Sequence, residues 1–209
     1  MIKNLKIIAK LLAGYFFCAF GIVMSINANL GVGPWNAFHL GLSYHTKLSL
    51  GQVQIMVGFI IMVSCMLFGI IPGIGTIGNM SIIGILTDFI NKLSLIPKCE
   101  DYFWGMVMLL LSMFFTAFGT FLYMSAGLGS GPRDGLMVMI LKVSGKPIWL
   151  VRNSIEAIVL IIGIILGAPI GLGTLVYCIG IGYIMQFVFK IFSFNPKQVC
   201  HKTLSITLK

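Results

Sequence analysis

Charge is what this sequence has least of. Five acidic and fourteen basic side chains in 209 residues make it 9% charged, against 58% hydrophobic and a mean hydropathy of +1.05. Soluble domains carry roughly a quarter charged residues, so a water-solvated globule is excluded. The five cysteines (Cys18, Cys65, Cys99, Cys178, Cys200) include no C-x-x-C pair and are odd in number. They read as small hydrophobes, and no disulfide framework or metal centre is expected from them. His39, His45 and His201 lack metal-ligand spacing with cysteine or carboxylates. Neither a phosphate loop nor a Ser, His and Asp constellation is present, so no catalytic residue, cofactor or enzymatic activity is expected. The formal net charge of +9 sits at segment ends, with no basic stripe interleaved with aromatics, which argues against nucleic acid as a partner.

Four long stretches hold no charge at all: between Lys10 and Lys47, Lys47 and Asp88, Asp101 and Arg133, and Glu156 and Lys190. A hydrocarbon core of about 30 Å is crossed by roughly 20 helical residues, so each gap holds at least one span and the bilayer is the first partner. Barrel strands alternate polar and apolar residues, and Ile55 to Cys65 does not. The fold class expected is an all-α membrane protein, a polytopic helical bundle. The basic start and apolar stretch of the first 30 or so residues imitate a signal peptide. Gly14 to Pro34 returns later in the chain, however, and a repeated structural unit reads as a first span.

An offset of 98 positions aligns the chain with itself without a gap. Phe17-Cys-Ala-Phe-Gly21 falls on Phe115-Thr-Ala-Phe-Gly119, Leu30-Gly-Val-Gly-Pro34 on Leu128-Gly-Ser-Gly-Pro132, and Gly73-Ile-Gly-Thr76 on Gly171-Leu-Gly-Thr174. Gly69 and Gly84 pair with Gly167 and Gly182 in the same register. Two tandem repeats are therefore expected within one membrane domain, at about 6–94 and about 103–194, followed by a short basic cytoplasmic tail at 195–209. Each copy reads as a long helix (about 6–28; 103–126), a Gly-Pro break, a short segment (34–46; 132–144) and two further helices (about 50–70 and 76–94; 148–167 and 174–194). Pro34 and Pro132 suit a first helical turn, and Asn36 or Asp134 could satisfy exposed N–H groups there.

The short segments cover only some 18 Å. If they dip in and return, six spans result, the copies are inverted, and both termini share one side. If they cross, there are eight short spans and parallel copies. With the amino terminus cytoplasmic, six spans leave only Lys47, Lys92 and Lys98 of the fourteen basic residues outside, whereas eight leave only Arg133. Charge favours eight, length favours six, and six spans plus two short re-entrant helices is the reading adopted.

Backbone broken inside a membrane must be packed in protein or line a wet cavity, and matched breaks in two halves point to a binding site. The candidate solute-binding residues are Gly33, Pro34, Trp35 and Asn36 with Gly131, Pro132, Arg133 and Asp134. Their helix starts offer N–H groups and a positive dipole end to an anion or carboxylate. Arg133 strengthens that field and Asp134 opposes it. The competing explanation is a tight turn with close helix packing. Glu156 falls about nine residues into a span, with Arg152 one turn earlier. The two form either an orienting ion pair or a proton- or cation-coupling site. Asp88 and Lys92 make a similar i, i+4 pair near a helix end, read as interfacial anchoring. Asn27, Asn29, Asn79, Asn153, Gln52 and Gln54 could join helices or coordinate a solute.

On the paired Leu-Gly-x-Gly-Pro-(Trp/Arg)-(Asn/Asp) motifs, with Gly-x-Gly-Thr closing each copy, the chain resembles the bacterial YczE/YyaS/YitT group of membrane proteins. It resembles the short YczE-like branch most, since YitT-type members usually carry an additional soluble carboxy-terminal domain. The resemblance implies a bacterial cell-membrane location and supplies no substrate or catalytic residue. The function expected is a small-solute transporter or permease-like protein acting on a small solute or ion. The alternative is a non-transporting accessory or scaffold protein that assists production or export of a metabolite. The Gly-rich helix faces serve internal packing or a homo-oligomer equally well.

Overall fold

A computed structural model describes residues 2–67 and 73–196. These residues form eight helices and no strand: α1 (Ile2–Asn27), α2 (Pro34–His45), α3 (Leu50–Leu67), α4 (Ile74–Lys92), α5 (Tyr102–Ser125), α6 (Pro132–Ser144), α7 (Ile148–Ile165) and α8 (Leu172–Ile191). Six of them, all but α2 and α6, are long and apolar enough to cross a bilayer. The chain is a multi-pass helical membrane protein. The expected end of α3 at 68–70 and the basic tail from 197 onward lie outside the described residues.

Local chemistry sets the helix ends. Pro34 and Pro132 occupy the first turns of α2 and α6, where a missing N–H costs nothing. Gly145 closes α6 at φ 66°, its N–H donating to Leu141 O at 3.2 Å. Asp101 caps α5, its Oδ1 accepting from Trp104 N at 2.9 Å. Asp101→Ala should therefore lower stability by about 1 kcal/mol while Asp101→Asn retains most of it, measured as the midpoint of thermal unfolding in detergent.

The centre of the bundle is the α1–α5 seam. Gly14 lies against Gly119 and Tyr123, Cys18 against Thr116 and Thr120, and Gly21 against Ser112 and Thr116, so the two helices run antiparallel. Phe17 and Phe115, 98 positions apart, stack with centroids 5.7 Å apart. This direction decides the number of crossings. Had α2 crossed the bilayer as well as α3 and α4, α5 would point the same way as α1. Opposite directions require an even number of crossings between them, which α3 and α4 supply while α2 turns back. The six-crossing path holds and the eight-crossing alternative does not.

Contacts elsewhere recur at the same offset. Gly75 N–H donates to Leu128 O and Gly173 N–H to Leu30 O, both at 2.8 Å. Gly73 N–H donates to Thr76 Oγ1 and Gly171 N–H to Thr174 Oγ1, both at 3.2 Å. Asp88 accepts from Gly51 N–H at 2.9 Å, as Gln186 accepts from Trp149 N–H at 3.4 Å. Each broken segment is thus held by the start of a helix from the opposite half, which supplies donors that lipid cannot. At Gly31 (φ 100°) and Gly129 (φ 139°) the backbone is left-handed, and an added Cβ would fall within 3 Å of Thr174 and Thr76 respectively, so only glycine fits.

Asp88 corrects one expectation. Among the described residues it makes no ion pair with Lys92; besides Gly51 N–H it accepts from Ser49 Oγ, tying the start of α3 to the end of α4. The carboxylate finds backbone and hydroxyl donors across the helix pair closer at hand than a lysine that snorkels outward.

Candidate functional site

The two breaks meet inside the bundle. The starts of α2 and α6 face one small cavity of about 30 Å³, which Gly33, Trp35 and Asn36 line from α2 and Arg133 and Asp134 from α6. That is room for about two water molecules, given one probe sphere of roughly 10–15 Å³ each. The remaining walls come from four spans: Cys18 and Ile22 of α1, Asn79 and Ile83 of α4, Thr116, Thr120 and Tyr123 of α5, and Tyr177 of α8. Arg152 and Glu156 of α7 complete it.

Three of the charges form a chain. Arg152 Nη1 lies 3.0 Å from Asp134 Oδ1, and its Nη2 lies 2.8 Å from Glu156 Oε1. All three residues are buried, Glu156 to 1% exposure. Tyr123 OH donates to the other oxygen of Asp134. The guanidinium meets Glu156 outside hydrogen-bond angles, leaving both Glu156 oxygens without a well-aligned donor among the described residues. Glu156 sits midway along α7, where a lone carboxylate in lipid would cost several kcal/mol. The shared cation offsets that cost, and the open acceptor positions are available to water or solute.

Arg133 is different. Among the described residues it pairs with no carboxylate; its guanidinium lies over the Trp35 ring, 5.2 Å from the centroid. This cation–π contact joins the start of α6 to the start of α2. Neither start has a side-chain cap. The expectation that Asn36 or Asp134 would cap is corrected: Asn36 Nδ2 donates to Ser25 Oγ at 2.9 Å, and Asp134 is drawn to Arg152 and Tyr123. A full guanidinium and a phenol hydroxyl attract a carboxylate more strongly than one backbone N–H. The first-turn N–H groups therefore have no capping side chain.

Of the other sequence candidates, Pro34 and Gly131 lie behind the cavity wall and Pro132 faces an adjoining chamber. Gly131 packs on the Asn79 amide as Gly33 packs on the Tyr177 ring. Asn153 bonds α7 to α8 through Ile179 O and Gly182 N, and Asn27 bonds Ile96 O, so these two are structural. Cys18, Tyr123 and Tyr177 escaped the sequence reading. The spacing of Thr116, Thr120 and Tyr123, four then three residues apart, places them on one helix face and was a readable signal.

Residues 5–190 match a family of unknown function (DUF6198). The chain belongs to that family. It is 37% identical over 177 residues to a Bacillus subtilis protein described as an uncharacterised membrane protein, YczE, covering 84% of this chain and 81% of that one. An uncharacterised Haemophilus influenzae protein is 30% identical over 191 residues, covering 91% and 87%. YyaS of Bacillus subtilis, also uncharacterised, is 28% identical over 177 residues, covering 80% and 85%. No solved structure matches. The family resemblance expected from the Gly-Pro motifs is therefore sound.

Proposed function

We propose that the protein is a small-solute transporter of the bacterial cell membrane, with both termini cytoplasmic. Its two halves are inverted copies, and its solute site lies where α2 and α6 begin. The observation that carries this reading is the meeting of two uncapped helix starts on a small buried cavity beside Arg133, which among the described residues pairs with no carboxylate. The antiparallel α1–α5 seam and the matched hydrogen bonds at the 98-residue offset support inversion, the arrangement in which transporters place sites between repeats. Arg133 and Arg152 balance Asp134 and Glu156, so the two positive helix ends tip the cavity toward an anion or carboxylate. The small cavity is an occluded form that rocking of the halves would open to one side at a time. No enzymatic role is proposed.

Glu156→Gln tests the reading. Arg152 keeps Asp134 in this variant, so the protein should fold and insert as before. Uptake of labelled chloride, nitrate, formate or acetate into proteoliposomes, driven by an inward proton gradient, should fall by about tenfold or more, because the amide cannot carry the proton that Glu156 brings in with the anion. If the wild type moves none of these solutes, or another small solute, above empty liposomes, and Glu156→Gln changes only stability, the accessory-protein alternative replaces the proposal.

A further inference from the structure

Beside the cavity just described lies a second chamber, of about 20 Å³, bounded by Pro132 and Arg133 of α6, Asn79 of α4, Gln54 and Gly58 of α3, and His39 of α2. The two share Asn79, Ile83 and Arg133, so Arg133 stands between them. They also correspond at the 98-residue offset: Gln54 and Gly58 occupy the places of Arg152 and Glu156, and Asn79 that of Tyr177. The chemistry of the second chamber is nevertheless distinct. No carboxylate lines it, and its formal charge is the single positive charge of Arg133.

Its polar groups are also unsatisfied. Among the described residues, Gln54 is 7% exposed and neither its amide oxygen nor its nitrogen has a partner; His39 is 1% exposed and its Nδ1 has none. A buried amide without partners costs about 1–3 kcal/mol, so two such residues facing one chamber call for a guest that bonds them. The Nε2 donor of Gln54, the guanidinium of Arg133 and the uncapped start of α6 all favour negative charge.

We propose that this chamber is a second binding station, for a small anion of one to a few heavy atoms, and that Arg133 serves both stations in turn. Gln54 and His39 select by hydrogen bonding where Arg152 and Glu156 act by charge. The inference rests on the transporter reading only for the idea of passage; occupancy of the chamber stands on its own.

The test uses the purified full-length protein, with Trp104→Phe and Trp149→Phe substituted so that Trp35, whose ring centroid is 6.0 Å from that of His39, reports alone. Titration with chloride, nitrate and formate at constant ionic strength, against gluconate, should give a saturable change in Trp35 fluorescence. Gln54→Leu should weaken apparent affinity about tenfold or more, and Gln54→Glu should abolish the response by placing a carboxylate beside Arg133. Gln54→Leu removes unsatisfied polar atoms, so its melting temperature without anion should not fall. Unchanged anion affinity in a folded Gln54→Leu, or the absence of any saturable response in the wild type, overturns the proposal. Loss of uptake in Glu156→Gln with anion affinity intact in Gln54→Leu would sink the second station while leaving the transporter reading in place. Anion binding without uptake by the wild type would do the reverse.

Discussion

Arg152→Met is expected to destabilise the protein by about 3–5 kcal/mol, because one substitution strands two buried carboxylates. Asp134 and Glu156 both depend on this guanidinium, at 3.0 and 2.8 Å, and among the described residues neither has another cation in contact. Methionine replaces the aliphatic stem with an unbranched apolar chain that keeps most of the packing, so the loss reports charge more than volume. The measurement is the midpoint of unfolding in detergent with increasing sodium dodecyl sulfate. The triple variant with Asp134→Asn and Glu156→Gln separates the causes: it should recover more than half of the loss, since no charge is then left unpaired. A single variant as stable as wild type would mean that water, not Arg152, satisfies the two acids.

Gly119→Leu should break the packing of the α1–α5 seam itself. A Cβ at Gly119 would stand 2.7 Å from both Gly14 O and Cys18 Sγ, and 2.8 Å from Cys18 N, so the α1 backbone itself must retreat. Small residues are what let two helices approach this closely in a membrane. Forcing them apart breaks the Phe17–Phe115 stack and the wall of the cavity together, at a cost of about 3 kcal/mol or more. Size-exclusion chromatography of detergent extracts should show little monodisperse protein. Gly135→Ala is the matched control: its added Cβ meets only Ser130 Oγ, at 3.2 Å, and the helix gains a better former. Normal yield from Gly119→Leu would mean that the α1–α5 contact is looser than the geometry described.

What the sequence disclosed and what it hid divide along contact distance. The Gly-Pro starts of α2 and α6 were legible because proline after glycine acts on its own turn. Arg152 and Glu156 were legible as neighbours because four residues on a helix is a fixed distance. Asp134 was not, since its partner is 18 positions away on another helix, and the local rule that made it a cap lost to that cation. Asp88 failed in the same manner, 37 positions from Gly51. Charge placement favoured eight crossings because Lys47, Lys92 and Lys98 sit at segment ends, where long side chains reach water on either side; the direction of α5 along α1 overruled it. Gln54 was visible only as one amide among several. Its emptiness of partners required the packing of α3, α4 and α6 around it.

The pair of bonds from Gly173 to Leu30 and from Gly75 to Leu128 has a consequence in time as well as in space. A ribosome delivers α8 only 143 residues after Leu30 (173 − 30), which at about 5–20 residues per second is on the order of ten seconds. Throughout that interval the first break has no donor for its carbonyl, while α1, α3 and α4 are already long enough to enter the bilayer. Insertion of the early helices and completion of the fold are therefore separate events. A nascent chain halted before α8 would present an open polar seam to the lipid, the kind of defect by which membrane quality control distinguishes an unfinished protein from a finished one.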